Sequence, residues 1–268
     1  MKPLVDVIIP AYNSEKYLKT CLDSLIAQTC QRWAATIVLA PSMDNTENIL
    51  NEYSKEPRIR IIRERVKTNC STARNIGFNN TYCRYVAFLD SDDWWEPTKL
   101  EVQLKHMAQS ADQMWVMHQL IVEDNGKRTI WEIPDSPRLD KDKGLLGGLW
   151  TIVFQRDLLN NVKKEWGYLF NQNMKHTDDA DLVMRIWEYP HSLIPVPLAG
   201  FRRNPDGLTS KANRFLESDL TTIGIAFRNR RYSLLSADLF KNVFVTILNR
   251  VTGIDWVKVK KEKFDESP

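Results

Sequence analysis

Along the N-terminal third of the chain the apolar residues alternate between two periods. Val5-Asp6-Val7-Ile8-Ile9 is a short β-branched run closed by Pro10, the pattern of a strand buried in a parallel sheet. Tyr17, Leu18, Cys21, Leu22 and Leu25 then recur at helical spacing, with charged residues on the other side and Ser14 placed to cap the helix. Thr36-Ile37-Val38-Leu39 predicts a second strand, a helix starts near Asn45, and Ile59 to Ile62 gives a third strand. Thr72 to Asn80 reads as a helix and Tyr85-Val86-Ala87-Phe88-Leu89 as another strand. This succession predicts an α/β sheet flanked by helices. Ligands in such sheets sit beyond the carboxyl ends of the strands, so the residues just after Ile9, Leu39 and Leu89 are the candidates for a site.

Farther on the pattern loosens. A helix runs from just after Pro97 to about Ser110, and Met114 to Val122 with Thr129 to Ile133 predicts a hairpin around Asp124-Asn125-Gly126. Pro134 to Gly148 is polar and punctuated by glycine, which reads as a mobile loop. A strand from Thr151 to Phe154 precedes short helices and the cluster Thr177 to Arg185. Near the end, Phe240, Val243, Phe244, Ile247, Leu248 and Val251 give one apolar helical face, followed by Trp256 and by Lys258, Lys260, Lys261 and Lys263. That face suits packing on the body of the protein, and it equally suits docking on an anionic membrane or a partner subunit.

Composition narrows the classes. The 268 residues are 43% hydrophobic, enough for one large domain or two joined lobes. Lys+Arg total 37 against Asp+Glu 34, too even a balance to indicate nucleic acid as a partner. Cys21, Cys30, Cys70 and Cys83 have neither zinc-ligand nor redox spacing, and Cys21 on an apolar helix face reads as a buried free thiol. A reducing, cytoplasmic setting is expected, with contact at the inner face of the membrane as the variant of that reading. Asn79-Asn80-Thr81 is a glycosylation triplet of the kind that arises by chance. The start of the chain shows no signal-peptide pattern, and no apolar run is long enough to span a bilayer.

Two acidic clusters carry candidate chemistry. Phe88-Leu89-Asp90-Ser91-Asp92-Asp93-Trp94 has a buried strand deliver three carboxylates to the sheet edge, where their repulsion calls for a cation or a solvated loop. Mg²⁺ and Mn²⁺ take such oxygen ligands and bridge them to substrate phosphates. The competing reading has Asp92 or Asp93 cap the helix whose first turn holds Pro97. The second cluster, Thr177-Asp178-Asp179-Ala180-Asp181-Leu182 with Arg185, is either a charged helix start capped by Thr177 or the seat of a general base. Arg74, in Ser71-Thr72-Ala73-Arg74-Asn75-Ile76-Gly77, is a candidate partner for a diphosphate.

The order of these pieces is more specific than any one of them. Ile8-Ile9-Pro10-Ala11-Tyr12-Asn13, then Ala73-Arg74-Asn75-Ile76-Gly77, then Phe88 to Trp94, then Asp178-Asp179-Ala180-Asp181-Leu182 with Arg185, resembles the family 2 glycosyltransferases of GT-A fold, over roughly residues 4 to 210. The resemblance implies a mixed, mostly parallel sheet flanked by helices, with residues 1–110 as the nucleotide-sugar-binding half, 111–214 as the acceptor-binding and catalytic half, and 215–268 as a helical extension. It implies that Pro10, Ala11, Tyr12 and Glu15 line the nucleobase and ribose pocket, that Arg74 contacts the nucleotide-sugar and Asp90 its ribose or sugar, and that Ser42, Ser91 and Asp92 also belong to the nucleotide-sugar site. Asp92, with Asp90, would hold Mn²⁺ or Mg²⁺. Asp179 stands where such enzymes carry the base, with Asp178 in place of the more usual glutamate. The implied activity is inverting transfer of a sugar from a nucleoside diphosphate, a UDP-sugar being favoured, to a hydroxyl of a glycan, lipid-linked or polymer acceptor.

This chain departs from the family pattern at three places. Leu39-Ala40-Pro41-Ser42 stands where an acidic turn is usual, Asn69-Cys70-Ser71 replaces a glycine ahead of Ala73, and Asn204 lies where some relatives have a histidine ligand. Phe201 to Ser210 resembles the loop that closes over the diphosphate, and His176 reads as solvated. The altered turn motivates a competing reading, a non-catalytic nucleotide-sugar or glycan binder on the same fold. Nucleotidyl transfer would need a glycine-rich triphosphate loop, and a processive synthase would need membrane spans and a Gln-x-x-Arg-Trp element; the sequence has neither.

Overall fold

A computed structural model describes residues 2–133, 148–174 and 178–202. Expectations that fall on Pro134 to Gly147, on His176 and Thr177, on Arg203 to Ser210 and Asn204, and on the apolar face from Phe240 to Val251 lie outside the described residues.

The first half follows the predicted succession: β1 (Val5–Ala11), α1 (Leu18–Ile26), β2 (Trp33–Leu39), α2 (Thr46–Tyr53), β3 (Ile59–Arg63), α3 (Cys70–Asn79) and β4 (Tyr85–Phe88). β1 pairs in parallel with both β2 and β4, and β2 with β3, so the carboxyl ends of these strands open on one edge. Alternation explains why these strands tolerate burial on both faces. Val5, Val7, Ile9 and Ala11 of β1 pack into one apolar cluster with the buried face of α1, while Ile8 packs into a second cluster on the other face. α3 crosses that second face so closely that a methyl group at Gly77 would collide with the Ile8 side chain.

Ser14 does not cap α1 through its side chain. Its carbonyl accepts from the Tyr17 and Leu18 amides, and its hydroxyl lies 2.8 Å from that of Ser91, so it ties the first loop to the acidic corner instead.

The second half brings β5 (Trp94–Trp95), α4 (Lys99–Gln109), β6 (Trp115–Asp124), β7 (Lys127–Trp131), a short 3₁₀ turn at Leu149–Thr151, β8 (Val153–Gln155), α5 (Arg156–Trp166), α6 (Asp178–Ile186) and β9 (His191–Arg202). The strand order among the described residues is β3-β2-β1-β4-β8-β6-β9-β5, with β7 pairing antiparallel to the later part of β6, off this path. Pairing in this half is mixed: β6 runs parallel to β9 and antiparallel to β7 and β8, and β8 joins the two halves by also pairing antiparallel with β4. Asn125 and Gly126 both take positive φ, 49° and 79°, the two-residue turn that the hairpin needs.

β5 and β9 depart from the sequence expectation. Two residues are too few to show a period. β9 contains Pro195 and Pro197, which argue against a strand; the chain accommodates them at register breaks, where Ile194 faces His118 but Pro197 faces Gln119. These two strands pair antiparallel, Trp94 with Gly200 and Trp95 with Ala199, directly after the Asp90–Asp93 turn.

Candidate active site

Three loops leave the carboxyl ends of β1, β2 and β4. The first two are clasped together by reciprocal bonds. The Glu15 amide donates to Asp44 Oδ2 at 3.0 Å, the Asn45 amide donates to Glu15 Oε2 at 2.8 Å, and the Ser14 amide donates to Thr46 Oγ1 at 2.7 Å. Ser42 Oγ accepts from the Asn13 amide at 3.0 Å and donates to the Ala40 carbonyl, while Asn13 Oδ1 accepts from the Met43 amide. The sharp turn has Asn13 at φ 47°, a left-handed conformation that asparagine tolerates. Lys67 Nζ donates to Tyr12 Oη at 2.8 Å and lies 4.0 Å from the ring centre. Pro10, Ala11, Tyr12, Glu15 and Ser42 are therefore neighbours, and Ala40 is buried where the usual acidic side chain would be.

A second assembly forms on α3. Asn69 caps the helix by accepting from the Thr72 amide and donates to the Gln172 carbonyl at 2.7 Å. Asn75 exchanges two bonds with the main chain of Phe170, at 2.8 and 3.0 Å. These amides bind the Leu169–Met174 segment to α3 and so bring the start of α6 over the end of β4. Arg74 closes the joint: Nη2 meets Asp90 Oδ1 at 2.7 Å and Nη1 meets Asp178 Oδ2 at 2.8 Å. Two acidic clusters far apart in the chain thus share one buried guanidinium. Asp181 and Arg185 form a fully buried ion pair within α6, and Arg185 Nη2 donates to the Leu169 carbonyl, so this pair fastens the helix rather than facing the site.

Charge accumulates around that guanidinium. Asp179, beside Asp178 and half-buried, is pushed up to about 6 by burial and by the Asp178 charge, with Arg74 opposing. Asp92 is likewise pushed up to about 6, by burial and by Asp90. Asp93 is buried and driven well above the carboxylate range, again by burial first and then by Asp92. Neither Asp92 nor Asp93 caps α4, whose cap residue is Thr98 and has no side-chain cap bond. Ser91 reaches back to Ser14, which joins the acidic turn to the first two loops.

Arg74, Asp90, Ser91, Asp92, Asp178 and Asp179 are thus gathered at one edge, next to the Pro10–Glu15 and Ser42 loops. Sequence reasoning missed Asn69 and Asn75, whose side chains dock the Leu169–Met174 segment, and Lys67 over Tyr12. Asn69 and Lys67 lie outside any periodic run, and Asn75, although inside α3, is a polar residue whose main-chain partner the helical period does not reveal. Among the described residues, no three His, Cys, Asp or Glu side chains group as a metal cage, and no helix is long and apolar enough to cross a membrane.

The fold is the GT-A fold of glycosyltransferases. The chain superposes on S. aureus TarS 1-349 in complex with UDP-GlcNAc with a TM-score of 0.66 at 19% identity, covering 93% of this chain and 72% of that one. The mannosyltransferase PcManGT from Pyrobaculum calidifontis, in complex with GDP-Man and Mn2+, gives 0.62 at 16% identity, covering 91% and 68%.

The chain belongs to glycosyl transferase family 2, whose model matches residues 6–170. TuaG of Bacillus subtilis (strain 168), named for teichuronic acid biosynthesis, is 40% identical over 109 residues, which are 40% of this chain and 43% of that protein. The Escherichia coli UDP-Glc:alpha-D-GlcNAc-diphosphoundecaprenol beta-1,3-glucosyltransferase WfgD is 31% identical over 180 residues, 64% of this chain and 70% of WfgD. The matched region of TuaG is less than half of that relative's length.

Proposed function

We propose that this protein moves a sugar from a nucleoside-diphosphate sugar to an acceptor hydroxyl with inversion, with Asp179 as the base and with Asp92 and Asp90 holding Mn²⁺ or Mg²⁺. The observation that carries the reading is the Arg74 bridge, 2.7 Å to Asp90 and 2.8 Å to Asp178, which sets the base candidate beside the acidic turn.

The residues present fit a divalent cation. Asp90 and Asp92 are hard oxygen donors, and Asp92 is pushed up to about 6 by burial first and then by the Asp90 charge. Two carboxylates completed by phosphate oxygens and water are the set that Mg²⁺ takes, in contrast to an all-protein cage. When bound, the cation would offset the charge that develops on the departing diphosphate. The clasped loops at Tyr12–Glu15 and Ser42–Thr46 hold the nucleoside end still, so that part of the rate comes from orientation. Asp179, tuned near the operating pH by burial and Asp178, takes the acceptor proton as that oxygen attacks the anomeric carbon from the face opposite the diphosphate. Arg74 keeps Asp90 and Asp178 in register while this happens. A UDP-sugar is the favoured donor, in line with the ligand of TarS, and a lipid-linked acceptor is supported by the name of WfgD.

The test is a panel of UDP-, GDP- and dTDP-sugars with Mn²⁺ and the purified protein, followed by release of nucleoside diphosphate. Asp179→Asn is expected to lose transfer by roughly a hundredfold or more, at the scale of a lost general base, while donor binding read by calorimetry stays about the same. Undiminished transfer by that variant would remove Asp179 from the mechanism, and donor binding without any turnover by the wild type would leave a binder.

A further inference from the structure

The acidic turn has a second basic neighbour that sequence order conceals. Arg202 ends β9, 110 positions after Asp92, yet its Nη1 donates to the Asp92 main-chain carbonyl at 2.8 Å. The same guanidinium lies 4.4 Å from the Trp94 ring centre and 5.0 Å from that of Tyr17, and its Nε stands 3.4 Å from Glu123 Oε1. The Arg202 amide points at Asp93 Oδ1 from 3.4 Å. Its side chain is only 12% exposed. Grip on the turn is reinforced from below: β5 and β9 pair immediately on either side of these contacts, and Gly200 leaves room for the Trp94 ring, which any β-carbon there would strike.

A planar guanidinium suits this setting because it can donate at its edge while its faces stack on aromatic rings, which an ammonium cannot do. The contact to Asp92 goes to the main chain, so Arg202 attracts the carboxylate by its charge without hydrogen-bonding it. Asp90, by contrast, has its carboxylate fixed by Arg74. The two arginines therefore divide the work: one anchors the Asp90 side chain, the other anchors the backbone that aims the Asp92 side chain.

We propose that Arg202 is a positioning residue for the acidic turn, fixing the Asp92 backbone so that the Asp92 and Asp90 carboxylates converge on a divalent cation. This rests on the metal reading given above. On this reading Arg202 acts through Asp92.

The experiment measures Mn²⁺ binding directly, by the loss of the free-ion paramagnetic resonance signal, for the full chain with and without UDP. The wild type is expected to bind Mn²⁺ and Asp92→Asn to lose about tenfold or more in affinity. Arg202→Gln should weaken Mn²⁺ binding by about tenfold, at the scale of lost outer-shell support, and Arg202→Lys by less, since lysine keeps one donor and the charge but loses the planar stack. Circular dichroism and urea titration restrict the comparison to folded protein, where a role confined to stability would leave Mn²⁺ affinity unchanged. Mn²⁺ binding by a folded Arg202→Gln variant at wild-type strength would overturn the positioning role while the metal reading stood. A wild type that binds no Mn²⁺ in either condition would overturn both.

Discussion

Arg74→Met removes the cation shared by Asp90 and Asp178 while keeping most of the side-chain volume over Phe170. The side chains of Arg74 and Asp178 are 6% and 10% exposed, so their pairing is made in a poorly hydrated place, whereas Asp90 at 24% can recover some water. Removing one member of a buried pair costs about 3–5 kcal/mol, because the other charge stays desolvated. Partial rehydration of Asp90 favours the low end, about 3 kcal/mol. For a chain of this size, that corresponds to a midpoint lowered by roughly 6–12 °C. Stability alone does not isolate the pair, so the informative assay is a double-mutant cycle of Arg74→Met with Asp178→Asn, by urea denaturation followed through tryptophan fluorescence. Asp178→Asn removes the charge that Arg74 neutralises, so the two losses should not add, and a coupling of about 1.5 kcal/mol or more is expected for groups in direct contact. Additive losses, with coupling under about 0.5 kcal/mol, would mean that the joint between the two acidic clusters is not energetically real.

Four further outcomes are expected. Asp179 must be ionised to accept a proton, and its carboxyl is raised to about 6, so kcat/KM should fall about tenfold per pH unit below that value and level off above it; a flat profile down to about pH 4.5 would exclude Asp179 as the base. The stability effect has the opposite sense: because the folded-state carboxyl is raised, the protonated form is the better-tolerated one, and Asp179→Asn should gain stability relative to wild type as pH rises from about 4 to 7, read as urea midpoints. Gly200→Ala would drive a β-carbon into the Trp94 ring, so β9 must lift away from β5; a loss of about 1–3 kcal/mol is expected, together with weaker Mn²⁺ activation, and a fully active, equally stable variant would contradict the close packing. Chelation with EDTA should abolish turnover, with Mn²⁺ or Mg²⁺ restoring it and Ca²⁺ doing so poorly because of its looser coordination.

The legible part of this protein is the part whose elements are periodic by themselves. β1, β2 and β4 are read from short apolar runs, and the edge where they end follows from their being parallel, so Asp90 and Asp92 could be placed from the sequence. The acidic start of α6 was legible as chemistry but not as location, since nothing in its residues says which strand end it overlies. That information resides in Asn69 and Asn75, whose side-chain amides fasten the segment before α6 to α3 through main-chain atoms, and main-chain partners leave no trace in sequence.

β9 was illegible for a different reason. A strand with two prolines contradicts the local rule, and it persists because β6 supplies a partner with register breaks where the prolines fall. Tertiary pairing overrode local preference there, and the consequence reaches the site. Without β9 beside β5, Arg202 would have no route to the Asp92 carbonyl, and the turn would depend on Arg74 alone, which holds only Asp90 and Asp178. The same logic explains why the corner tolerates Asp90, Asp92 and Asp93 within one tight turn. Asp90 is matched by Arg74, Asp93 is buried against the Arg202 amide, and Asp92 keeps a carboxylate that both arginines attract at a distance but neither hydrogen-bonds. Under the proposed function, that carboxylate is the one a cation arriving with the substrate would take.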